Sequence, residues 1–238
     1  GENGSRSSLA LPKIQQDLVV ELKKTGKPII LVLSSGRPLE LFDLEPLADA
    51  ILEIWQPGTV AGSSVAGILS GRHNPSGKLS ITFPRTTGQI PMYYNMRKPA
   101  RPKIGHYQDV PEGPLYWFGQ GLSYTSYEYA DITLSKTKIK REEKLVAEIK
   151  VTNAGNVDGK ESVLWYISDP FASISRARKE LKYFEKKLIK SGNTQTYRFE
   201  IDPIRDLSYV DSQGKKHLET GDYYVIVNDQ QIQFEIID

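Results

Sequence analysis

WQPGTVAGSSVAGILSGRHNPSGKLSITFP, residues 55–84, decides the fold of the first half of this chain. Pro57-Gly58 breaks the apolar run that ends at Trp55. Val65, Ile68 and Leu69 lie among small residues at helical spacing, and Gly71 suits the left-handed residue after a helix. Asn74-Pro75-Ser76-Gly77 then makes a tight turn, and residues 79–83 read as a strand closed by Pro84. Strand, helix, turn and strand in this order form a compact α/β unit.

Working outward, Pro12 fits the first turn of a helix over residues 13–24, with Ile14, Leu18 and Leu22 at i, i+4, i+8 and Gly26 as its stop. Residues 28–34 (PIILVLS) form a continuous β-branched run that suits a strand buried on both faces of a parallel sheet. Residues 50–55 (AILEIW) are a second strand. A doubly wound sheet usually has five or six strands, and here only about three are found. Helix 13–24 also lacks the preceding parallel strand that a right-handed crossover requires. The expectation is a partial α/β sandwich, an incomplete and mostly parallel sheet with helices, from the C-terminal part of something larger.

Residues 86–127 are broken by Gly88, Pro91, Pro99, Pro102, Gly105, Pro111, Gly113 and Pro114 and are rich in tyrosine. A loop this long and aromatic is usually functional or covers a neighbouring domain; the plainer expectation is that its rings pack it onto the domain surface. After Tyr129 the period changes to two. Leu145, Ala147, Ile149 and Val151 share one strand face, and residues 162–168, 196–201, 223–227 and 232–236 follow with turns between them. Roughly seven short strands predict an antiparallel, immunoglobulin-like β-sandwich. The expected domains are 1–127 and 128–238.

Composition excludes several function classes. The 238 residues carry 31 basic and 29 acidic side chains, net +2, which argues against nucleic acid or a membrane surface as partner. The absence of cysteine excludes disulfides, thiol catalysis and zinc–thiolate sites. His73, His106 and His217 lack ligand spacing, so neither metal nor cofactor is expected. Residues 71–78 (GRHNPSGK) imitate a phosphate loop. However, the glycines are spaced wrongly, Leu79 replaces the magnesium-binding Ser or Thr, and a strand follows where a helix is needed. Trp55 is expected to pack in the core.

Several motifs together carry a family resemblance. They are Gly1-Glu2…Ser5-Arg6…Leu11-Pro12, Gly26-Lys27-Pro28…Gly36-Arg37-Pro38-Leu39, Trp55…Pro57-Gly58, and Asn74-Pro75-Ser76-Gly77-Lys78-Leu79…Phe83-Pro84. Leu115-Tyr116…Phe118-Gly119…Gly121-Leu122-Ser123-Tyr124-Thr125 and Asp206-Leu207-Ser208-Tyr209 extend the series. The chain resembles glycoside hydrolase family 3 over almost its whole length, and among its members the bacterial β-glucosidases of the periplasmic type. Ser80 and Trp117 stand where the family usually has proline.

The resemblance implies a fibronectin type III-like second domain and a retaining mechanism, in which one carboxylate is nucleophile and a second carboxyl is acid, then base. It implies that Glu2 is the acid/base, and that the nucleophile aspartate and most of the sugar pocket lie on an N-terminal (β/α)8 barrel outside this sequence. The implied substrate is a β-linked oligosaccharide or aryl glycoside, the implied location periplasmic or secreted, and the chain alone is expected to be inactive. The alternative is a free-standing carbohydrate-binding or protein-interaction module. That reading predicts an exposed aromatic row on one sheet face, to which adjacent Trp165 and Tyr166 would contribute one outward ring.

Overall fold

The computed structural model describes residues 4–97 and 107–238, which form two compact units. The second comprises Gly121–Asp238 together with the inserted segment Asn74–Gly77 and residues 95–97; the remaining described residues form the first.

In the first unit, α1 (Lys13–Lys23) begins directly after Pro12 and ends before Gly26, whose φ of +69° is open to glycine at no steric cost. β1 (Ile30–Leu33) and β2 (Ala50–Glu53) pair in parallel, Ile30 opposite Ala50 and Leu33 opposite Glu53. Asp49 Oδ2 accepts the Ile29 N–H at 2.8 Å, which holds the register at its start. α2 (Ala61–Leu69) follows, and Gly71 is again left-handed, with φ +73°. The unit's core is Leu33, Leu41 and Phe83, joined by Trp55 and Tyr116 with ring centroids 5.9 and 6.3 Å from Phe83.

Three expectations change here. Residues 79–83 form no sheet strand: the chain bends at Ser80 and Ile81, and Phe83 makes an isolated antiparallel bridge to Tyr116. Their backbone pairs with the glycine-rich return segment instead: Phe83 N–H donates to Tyr116 O (2.8 Å) and Gly119 N–H to Leu79 O (2.7 Å). β1 is not buried on both faces, because no described element covers the side bearing Ile30 (51% exposed) and Val32. In α1 the stripe Ile14, Leu18 and Leu22 is exposed, and Val19 is the buried residue. Of the rings in the tyrosine-rich loop, Tyr116 reaches the core at Phe83, Tyr93, Tyr107 and Tyr124 are exposed, and two other contacts are internal to the loop. Tyr94 stacks on Phe118 at 4.2 Å, and the Tyr107 hydroxyl donates to Gly88 O.

The second unit is a two-sheet sandwich. One sheet is built on β6 (Leu145–Asn153), which pairs with β3 (Tyr127–Tyr129), β4 (Thr133–Leu134) and β9 (Thr194–Ile201). The other has the order β5 (Lys138–Lys140), β13 (Gln230–Ile237), β12 (Gly221–Val227), β7 (Gly159–Ser168), β8 (Glu180–Ile189). β5 and β13 pair in parallel, so the sandwich is not wholly antiparallel. A helical turn, α3 (Pro203–Asp206), leads to the small hairpin β10 (Tyr209–Val210) and β11 (Lys216–His217).

The alternation seen in sequence is the core. Leu145, Ala147, Ile149 and Val151 of β6 meet Val163, Trp165 and Ile167 of β7 and Tyr223, Val225 and Val227 of β12. At one end of this core lies Asn153, fully buried and fully bonded. Its amide donates to Val157 O and Ile189 O, both at 2.9 Å, and its oxygen accepts from Thr125 Oγ1 (2.6 Å) and Gly155 N–H (3.1 Å). Removing it would strand several buried groups, the costly case for hydrogen bonding.

Burial also sets an alkaline limit. It pushes the Tyr116 phenol up to about 12, helped by Glu45. It raises Tyr129, Tyr197 and Tyr223 further, and the neighbouring Glu161 adds to the shift of the first two. A phenol raised on folding leaves stability intact below its unfolded value near 10 and withdraws it as pH climbs toward the folded value. In a titration followed at the phenolate absorbance band, these four of the 13 tyrosines are therefore expected to ionise together with unfolding. Smooth ionisation of all 13 with native circular dichroism retained would contradict this burial.

Candidate functional site

Open α/β sheets bind ligands at the carboxyl ends of their parallel strands. In the first unit that position holds a cleft of about 580 Å³. β1 ends into Ser34-Ser35-Gly36-Arg37 and β2 into Ile54-Trp55-Gln56, and Ser34–Arg37 and Gln56 line the cleft. The opposite wall is the run from Ser8 to Pro12, with Arg6 at its edge. That wall is held by Leu9, whose N–H donates to Thr87 Oγ1 (2.9 Å) and whose carbonyl accepts the Glu40 N–H (2.9 Å). Glu40 in turn accepts from the Thr87 N–H and hydroxyl at 2.7 and 2.8 Å.

Trp55, next to Gln56, bends the chain beside the cleft. Its φ of +50° is an unusual conformation for a bulky residue. Such a residue persists only where its surroundings over-determine it, and here three contacts do so. Its N–H donates to Glu53 Oε1 (2.8 Å), its carbonyl accepts from Ser34 Oγ (2.9 Å), and its ring packs on Phe83. This bend directs Gln56 to the cleft, and Gly36 leaves room for it: a Cβ there would lie 3.2 Å from Gln56 Nε2. Burial raises the Glu53 carboxyl, opposed by the Trp55 N–H.

Glu2 and His106 lie outside the described residues. Trp55 packs against the core, as expected. His73 packs against Gly67, where an added Cβ would fall 2.3 Å from the ring, and His217 Nε2 lies 2.6 Å from Asp211 Oδ2. Among the described residues no group of three or more His, Cys, Asp or Glu could hold a metal ion, and no helix is long and apolar enough to cross a membrane.

The phosphate-loop look-alike has a structural use. Asn74 Oδ1 accepts from Ser123 Oγ (2.9 Å) and Tyr124 N–H (2.8 Å), and Nδ2 donates to Asp158 O (3.1 Å). Trp165 is fully buried, and outward-facing Tyr166 is buried beneath Lys179, whose Nζ is 4.5 Å from the ring centroid. Neither ring is therefore open to a sugar. Gln56, Ser34 and Ser35 were not singled out from sequence. The signal available was their position just after two predicted parallel strands.

The family model for the glycosyl hydrolase family 3 C-terminal domain matches residues 1–124, and that for a fibronectin type III-like domain matches residues 161–231. The chain belongs to glycoside hydrolase family 3. By family it is part of a glycoside hydrolase. It is 44% identical to a periplasmic β-glucosidase of Salmonella typhimurium, over 95% of this chain and 30% of that protein. A β-xylosidase of Formosa agariphila is 38% identical, over 95% of this chain and 31% of that protein. The crystal structure of a β-glucosidase from Listeria innocua in complex with glucose superposes with a TM-score of 0.94 at 39% identity, covering 99% of this chain and 34% of that one. The chain thus spans about 30% of the length of the curated relatives it matches.

Proposed function

We propose that this chain is the acid/base-bearing portion of a retaining β-glucosidase acting on β-linked glucosides or oligosaccharides in the periplasm or outside the cell. Residues 1–127 would form its share of the α/β sandwich and 128–238 the fibronectin type III-like domain. The observation that carries the reading is positional. Arg6, four residues after Glu2 in the sequence, lines the cleft at the carboxyl ends of β1 and β2, where a sheet of this class binds its ligand. The names of the relatives supply the sugar class.

In the proposed mechanism a barrel aspartate attacks the anomeric carbon while Glu2 protonates the departing glycosidic oxygen. Glu2, now a carboxylate, then takes a proton from the water that releases the glycosyl group, so configuration is retained. The two carboxyls need a separation of about 5–5.5 Å. The acid also needs an enclosure that raises its pKa. Among the described residues of the first unit the sheet consists of β1 and β2 alone, so these strands do not supply the eight-stranded barrel that the mechanism calls for.

The 238-residue chain is expected to leave an aryl β-glucoside unhydrolysed, and the same chain joined to a family 3 barrel to release β-glucose first. Retaining turnover by the chain alone, or inversion by the joined protein, would defeat the reading.

A further inference from the structure

The cleft has a charge pattern that hydrolysis of a neutral glucoside does not call for. Arg6 and Arg37 both line it. Neither side chain has a hydrogen-bond or ion-pair partner among the described residues, and Arg37 is half-buried. No described Asp or Glu lines the cleft, whereas Ser34, Ser35 and the Gln56 amide do. A partly desolvated guanidinium without a counter-ion is unfavourable, and in proteins such a charge is normally paired. A guanidinium fork matches a carboxylate in a bidentate fashion, and neutral amide and hydroxyl groups match sugar hydroxyls.

We propose that this cleft is a subsite for an acidic sugar unit, the uronate carboxylate meeting Arg37 and Arg6 while Gln56 and the serines take ring hydroxyls. The inference rests on the glycosidase reading for its carbohydrate class but not for its charge. Trp55 contributes the bend that precedes Gln56, and Gly36 leaves the amide its space.

The test is a titration of the 238-residue chain with D-glucuronate, D-glucose and inorganic phosphate, followed by amide chemical-shift changes. Glucuronate is expected to bind saturably at residues 34–37 and 56, more weakly as salt is added. Glucose is expected to bind at least tenfold more weakly. Arg37→Gln and Arg6→Gln should each weaken glucuronate at least tenfold with the rest of the spectrum unchanged. If Arg37→Gln perturbs the fold, exposed Arg6→Gln decides alone.

Equal binding of glucose and glucuronate, phosphate bound in preference to glucuronate, or affinity unchanged in the variants would each overturn the proposal. The titration involves no turnover. Failure to bind therefore leaves the glycosidase reading standing, and an inactive barrel-joined protein leaves bound glucuronate standing.

Discussion

Glu2→Gln in the barrel-joined protein is expected to lower kcat/KM on a phenyl or alkyl β-glucoside by about 10²–10⁴-fold, the usual worth of a positioned general acid. The amide keeps the shape of the side chain but has no acidic proton to give. The loss should depend on the leaving group. A dinitrophenolate departs without protonation, so the first step on its glucoside survives and the second, which needs the base, becomes limiting. Added azide attacks the glycosyl-enzyme without a base and restores turnover as β-glucosyl azide. The basic limb of the pH profile should flatten, because that limb reports loss of the acid's proton. A uniform loss across leaving groups, with no azide product, would remove Glu2 from the acid/base role.

Trp165→Ala is the second large effect, and it lies on stability. Trp165 is fully buried between the two sheets, 6.1 Å from the Phe199 ring, in a core that includes Ile149, Val225 and Phe234. Truncating a buried tryptophan removes its transfer free energy and leaves a cavity that the surrounding strands fill only in part, a cost of about 3–5 kcal/mol. Domain stabilities are about 5–15 kcal/mol, so the substitution removes a large share of the second unit's margin. With two units present, a single global midpoint is a poor readout. Amide hydrogen exchange along β7 and β12 gives the second unit its own value. A loss below about 1 kcal/mol would mean that the core repacks around the vacancy.

The sandwich was legible in sequence where its strands are two-sided. β6 buries Leu145, Ala147, Ile149 and Val151 and turns Lys150 outward, so period two is written in its residues. β8 was missed because it is an edge strand, carrying Lys182, Glu185, Lys186 and Lys187 and leaving Phe184 exposed. Tyr183 and Phe184 are adjacent and face opposite ways, which erases the alternation. Charge on an edge is the ordinary guard against unwanted strand pairing, and it hides the strand from a hydrophobic pattern.

In the first unit, periodicity found α1 but could not say that Ile14, Leu18 and Leu22 face outward, since that depends on what packs against them. The 79–83 segment has strand composition, yet its partner is the loop around Tyr116, a contact set by tertiary placement. Of the candidate site, the family motifs carried Glu2 and Arg6. The cleft lies between stretches that are distant in sequence, and only the parallel pairing of β1 and β2 brings Arg37 and Gln56 to one place.

The small insertion Asn74–Gly77 makes the second unit discontinuous along the chain. Asn74 sits over Gly159, where a Cβ would fall 2.1 Å from the Tyr127 hydroxyl and 2.9 Å from the Asn74 amide nitrogen. It also satisfies Ser123, Tyr124 and Asp158. A piece cut before Gly121 would contain every strand of the sandwich and still lack its plug. For anyone grafting this sandwich onto another protein, the natural unit is a strand assembly plus two peptides supplied from upstream, Asn74–Gly77 and the segment that includes residues 95–97. A circularly permuted design that tethers Asn74-Pro75-Ser76-Gly77 to one terminus would respect that boundary better than any single cut.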